Sequence, residues 1–131
     1  MLSAKTGVIN KNPAATKITD LKDLEEADAW TAAVTAVDGV NQIVLSAVVG
    51  GKTVYLNCSD SSTGVSIAET ASGHWVLSEK SGVLSLSHSS TSRILCGYIP
   101  NGQTAVQDFR AYNSGNSNVI LYKYSATAIA E

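Results

Sequence analysis

Turn residues cut the chain from Thr31 onward into runs that are strand-sized, and this spacing constrains the fold more than any other feature. Asp38-Gly39, Gly50-Gly51, "SDSSTG" (59–64), "TASG" (70–73), "KSG" (80–82), "SSTS" (89–92), "IPNGQ" (99–103) and "NSGNSN" (113–118) stand between short apolar runs. Glycine reaches positive φ without a Cβ clash. Asp-Gly and Gly-Gly between two apolar runs are therefore tight hairpin signals. The intervening runs are "TAAVTAV", "NQIVLSAVV", "KTVYLNC", "VSIAE", "HWVLSE", "VLSLSH", "RILCGY", "AVQDFRAY" and "NVILYKYS". The pattern predicts an all-β fold, an antiparallel sandwich or small barrel of about eight to nine short strands. Neither a βαβ rhythm nor a fixed-period repeat is present.

The first thirty residues read differently. Residues 1–17 are polar, contain Pro13 and have no periodicity, which predicts an extended N-terminal arm. "TDLKDLEEADAW" (19–30) is the one helix-like patch, with Thr19 or Asp20 as cap and Leu21 and Leu24 on one face. It predicts one short helical turn. Residues 18–131 then form a single all-β domain, a size that buries a core without covalent staples.

Alternation places the core. Trp75 and Leu77 share a face of one strand, and Leu84 and Leu86 share a face of the next, opposite Ser85 and Ser87. The segment from Phe109 to Tyr124 holds Phe109, Tyr112, Tyr122 and Tyr124, half of the chain's aromatic residues (Phe 1, Trp 2, Tyr 5). Phe109, Tyr112 and Tyr122 read as core and rim of a closing hairpin, with an aromatic binding face as the alternative.

The order "GGKTVYL", "HWVLSEKSGVLSLSH", "SRILCGY", "DFRAY", "VILYKY" resembles a β-rich accessory domain that recurs in secreted and surface proteins of Bacteroidetes and some Firmicutes. Trp75 and Leu77, Gly82, Leu95, Phe109 and Tyr112, and Leu121-Tyr122-Lys123 stand at that family's positions over roughly residues 40–124. The family's short entry turn contains a glycine, which "DLKDLEEADAW" lacks. The resemblance implies an antiparallel β fold and a non-catalytic role.

Composition excludes several function classes. Charged residues make up only 15% of the chain, net charge is −2, and no Lys/Arg cluster occurs, so phosphate capture by nucleic-acid-binding cations is not expected. No apolar run has the ~20 residues of a spanning helix, and the N-terminus has no apolar signal core. Cys58 and Cys96 are expected as buried, reduced thiols, and with His74 and His88 they lack zinc-site spacing. Both histidines are expected as exposed strand-end residues. Asp60, Glu69 and Glu79 are scattered, and no Gly-x-Ser-x-Gly, Walker or dinucleotide motif is present. "NCS" at Asn57 matches a glycosylation acceptor by chance composition.

These readings predict no enzyme, no cofactor, no metal and no catalytic residues, and they single out no binding residue. They predict a structural or interaction module: an auxiliary or decoration protein on the outside of a bacteriophage virion. The alternative is a secreted or cell-surface adhesion module, with a glycan as its ligand. The expected partner is a protein or a second copy, met through the N-terminal arm or the sheet edges.

Overall fold

The computed structural model describes residues 1–4, 15, 25–58 and 64–113. The expected last strand, Tyr122 and Tyr124, the "NSGNSN" loop beyond Asn113, Asp60, and the helical cap Thr19/Asp20 lie outside these residues. Among the described residues eight strands follow the 3-10 turn Glu26–Asp28. They are β1 (Thr31–Val37), β2 (Val40–Val49), β3 (Lys52–Cys58), β4 (Val65–Ala68), β5 (Trp75–Lys80), β6 (Val83–His88), β7 (Ile94–Tyr98) and β8 (Asp108–Tyr112). Every pairing is antiparallel, so the fold is all-β as the turn spacing predicts.

The strands form one sheet in the order β4-β3-β2-β5-β6-β7-β8, with β1 added to β2. The central feature is a fork at β2. Along one edge β1 pairs with the whole run from Val40 to Ser46. The other edge is shared: Gln42 and Ile43 pair with β5, and Ser46 to Val49 pair with β3. The sheet therefore splits into two leaves that diverge from β2. The ends of the strand order, β4 and β8, come near each other without forming a ladder. Among the described strands the sheet does not close, which gives a sandwich-like arrangement and not a barrel.

The core lies between the leaves. It contains Ile43, Val54, Leu56, Cys58, Val65, Ile67, Trp75, Leu86, Leu95, Phe109 and Ala111. Period-two alternation explains the membership: Val54, Leu56 and Cys58 share a face of β3, and Val65 and Ile67 a face of β4. The Trp75 indole N–H donates to the Leu56 carbonyl at 2.9 Å and ties one leaf to the other. Leu77 pairs with Leu86, and Glu79 with Leu84, so this face runs from buried at Trp75 to exposed at Leu84.

The described part of the 1–17 span lies on the domain. Ser3 and Ala4 are buried, and Leu2 and Ala15 pack against the core. The Ser3 hydroxyl donates to Asp28 Oδ1 at 2.5 Å, the Trp30 indole to the Leu2 carbonyl at 3.2 Å, and the Ala15 amide to the Gln107 carbonyl at 2.9 Å. Asp28 Oδ2 also accepts the Glu25 amide, closing a reciprocal cap around the 3-10 turn. These bonds satisfy polar groups that the short turn would otherwise leave open.

Gly97 sets a packing limit inside β7. A Cβ there would lie 2.9 Å and 3.0 Å from the two γ-methyls of Val106. Gly97→Val is expected to lose about 1–3 kcal/mol by overpacking. Urea denaturation checks this, and Val106→Ala in the same chain should recover part of the loss. An unchanged midpoint would show that Val106 swings aside freely.

Candidate functional site

The β1–β2 hairpin is the part of the molecule whose sequence and surroundings disagree most. Asp38 and Gly39 occupy its two-residue turn with φ of 51° and 77°, the left-handed pair a type I′ hairpin requires. The register runs from Val37↔Val40 to Thr31↔Ser46 without a bulge. A strand with Val, Ala and Thr at every position reads as one covered on both faces. Yet all seven residues of β1 are exposed.

Both faces of the hairpin carry exposed valines, on the outer face set among Thr31, Thr35, Gln42 and Ser46. Val34 pairs with Ile43, so Ala32, Val34 and Ala36 continue the face that is core further along the sheet. There Ile43 is buried, while Val34 is 57% exposed. On the opposite face Val37 pairs with Val40 and Ala33 with Val44, and β2 continues that row to Val48, which is 72% exposed. Single exposed valines need no explanation, but several on one hairpin beside an edge strand are consistent with an interaction surface.

The outer edge of β1 carries the hydrogen-bonding capacity. The turn bond joins Val37 and Val40, and hydrogen-bonded pairs alternate from there along the ladder. Residues 31, 33, 35 and 37 therefore direct their backbone groups to β2. The N–H and C=O groups of Ala32, Val34 and Ala36 face outward, with no strand beside them among the described residues. Natural edges are usually blocked by lysine, proline, an inward charge or a bulge. β1 has none of these.

The sequence-predicted aromatic region separates into two roles. Phe109 is 6% exposed and belongs to the core, as expected. Tyr112 stands on the other face of β8, half-buried, in line with Arg110 and Asp108. Arg110 forks onto both carboxylate oxygens of Asp108, at 2.8 Å and 3.2 Å, and lies 3.7 Å over the Tyr98 ring. The hydrogen bond and charge of Asp108 hold the Arg110 guanidinium even more firmly protonated than usual. Burial raises the Tyr112 hydroxyl above its ordinary value. The guanidinium is paired with Asp108 and lies over one face of Tyr98, so this row braces the surface of β7 and β8.

The other singled-out residues have structural settings. His88 corrects the expectation of an exposed strand-end histidine: it is 1% exposed and meets Trp75 edge-on at 4.8 Å between ring centroids. The pairing Trp75↔His88 puts both rings on the core face, and Ser90 meets His88 Nδ1 at 2.8 Å. The sequence clue was its even spacing from Leu84 and Leu86, outweighed by its place at a strand end. His74 is half-buried at the start of β5. Asn57, the apparent glycosylation acceptor, is buried, donates to the Thr70 carbonyl at 2.7 Å and accepts the Ser72 amide at 3.0 Å. It fastens the β4–β5 connection.

Cys58 and Cys96 are both buried. Cys58 faces the core, its sulfur 3.1 Å from the Thr91 hydroxyl. Glu69 is exposed and pairs with Lys52 at 2.9 Å, which raises the lysine's pKa, and Glu79 is exposed as well. Among the described residues no three His, Cys, Asp or Glu side chains gather in a way that could hold a metal ion. Comparison with protein-family models, with curated proteins and with solved structures finds no match to this chain.

Proposed function

We propose that this chain is a non-catalytic structural module that joins a larger assembly by offering the β1 edge to another strand. One observation carries the reading: β1 is seven residues long, uncharged, unbulged and exposed along its whole length, with alanine, valine or threonine at every position. Strand addition there supplies main-chain hydrogen bonds for affinity and covers the flanking valines. The buried core, with its leaf-to-leaf Trp75–Leu56 bond, holds the hairpin out as a fixed element. On a bacteriophage head or on a cell surface this edge would meet a neighbouring subunit.

The test is size fractionation of source material expressing the tagged chain or its Val34→Lys variant. Val34 is exposed, so the lysine leaves the core intact, but it places a charge in the middle of the edge. The unmodified chain is expected to travel with an assembly well above its own 13.6 kDa. Val34→Lys is expected to fall to the low-mass fractions. If both chains run at the same mass, the β1 edge is not the point of attachment.

A further inference from the structure

We infer that the strand β1 receives is β1 of a second copy, paired antiparallel about a twofold axis through Val34. This rests on the reading of β1 as the attachment edge and names its partner.

The argument begins with which backbone groups are open. Ala32, Val34 and Ala36 present outward N–H and C=O groups, and this set is symmetric about Val34. An antiparallel self-pair centred there sets Val34 against its counterpart, and Ala32 against Ala36 of the second copy. The outward groups of one strand then find their complements on the other. A register one residue away would bring residues whose groups are already committed to β2 onto the shared edge.

Side chains permit the same register. A twofold places every residue against a fixed counterpart, so a charged residue at the centre would face itself, which is destabilising. β1 has no charge, and the opposed pairs Val34–Val34, Ala33–Thr35, Ala32–Ala36 and Thr31–Val37 are small and neutral. The nearest charge, Asp38 at the hairpin turn, falls opposite Trp30 of the second copy and not opposite another carboxylate.

Closure favours a second copy: a self-pair satisfies two open edges in one contact and leaves neither exposed, so this contact closes at two copies. The face formed by Ala32, Val34 and Ala36 becomes continuous across the two hairpins.

The experiment combines sedimentation of the full chain over a concentration series with register-specific cross-linking. The unmodified chain is expected to show a monomer–dimer equilibrium. Val34→Lys should weaken it at least about tenfold through opposed like charges. Under mild oxidation Val34→Cys should give a disulfide dimer on a non-reducing gel, because paired strands bring the two Cα atoms within disulfide range. Val37→Cys should not, because the two copies of residue 37 would be separated by about 20 Å along the seam. The native thiols are buried, so the unmodified chain serves as the blank. Equal cross-linking at positions 34 and 37, or a chain that stays monomeric with or without Val34→Lys, overturns the twofold. If the isolated chain is monomeric yet Val34→Lys still detaches it from the high-mass fraction, another strand occupies the edge: this inference falls and the attachment reading stands. A dimer indifferent to Val34→Lys forms through another surface and also overturns the twofold.

Discussion

Trp75→Ala is expected to destabilise the fold by about 3–5 kcal/mol, the range for truncating a large buried aromatic. Three separate losses contribute. The ring is 1% exposed, so its removal leaves a cavity between the leaves. The bond from the indole N–H to the Leu56 carbonyl disappears, and with it a direct tie between β5 and β3. The edge-on contact with His88 is also lost, and a buried imidazole is left beside the void. A domain of this size has a total stability of about 5–15 kcal/mol, so the variant sits near its unfolding threshold at room temperature. Urea denaturation followed by far-UV circular dichroism measures the difference. A loss below about 1 kcal/mol would mean that the ring lies in solvent and that the two leaves do not meet over it.

Phe109→Ala is expected to lose a similar amount, about 3–5 kcal/mol, whereas Tyr112→Ala should lose about 1 kcal/mol. The two residues lie on the same short strand, three positions apart, and differ in the face they occupy. Phe109 fills the core beside Ala111 and opposite Gly97. Tyr112 stands on the outer face in the row with Arg110, half in water, where a truncated ring leaves no closed cavity. Parallel melts of the two variants decide the matter. If Tyr112→Ala proves as severe as Phe109→Ala, the outer face of β8 is packed and cannot be a rim.

Much of this architecture is legible in the residues. The runs "TAAVTAV", "KTVYLNC" and "VLSLSH" coincide with β1, β3 and β6, because glycine and aspartate turns leave little freedom in where a strand can stop. Alternation places Trp75 and Leu86 in the core, since a sheet face is either wet or dry along its length. His88 shows where alternation should have outweighed position: its spacing from Leu84 and Leu86 puts it on the dry face, and the following loop seals it there. The span 1–17 shows the opposite limit. Its polar composition suggests an extended arm, and its described residues Leu2, Ser3, Ala4 and Ala15 are buried or bonded against the domain through contacts that only the folded chain provides.

Local chemistry in the sequence by itself determined the strand type, the turns and the inward faces, since these depend on neighbours within a few residues. The tertiary structure alone decided that β2 is shared by three strands and that the sheet forks there, because the choice of partner for an edge is non-local and leaves no period in the sequence. It likewise decided that β1, with residues suited to cover on both sides, stands exposed, with no strand on its outer edge among the described residues. Composition can say that such a strand needs partners. Whether its own chain supplies them depends on where β3 and β5 have already taken the other edge of β2.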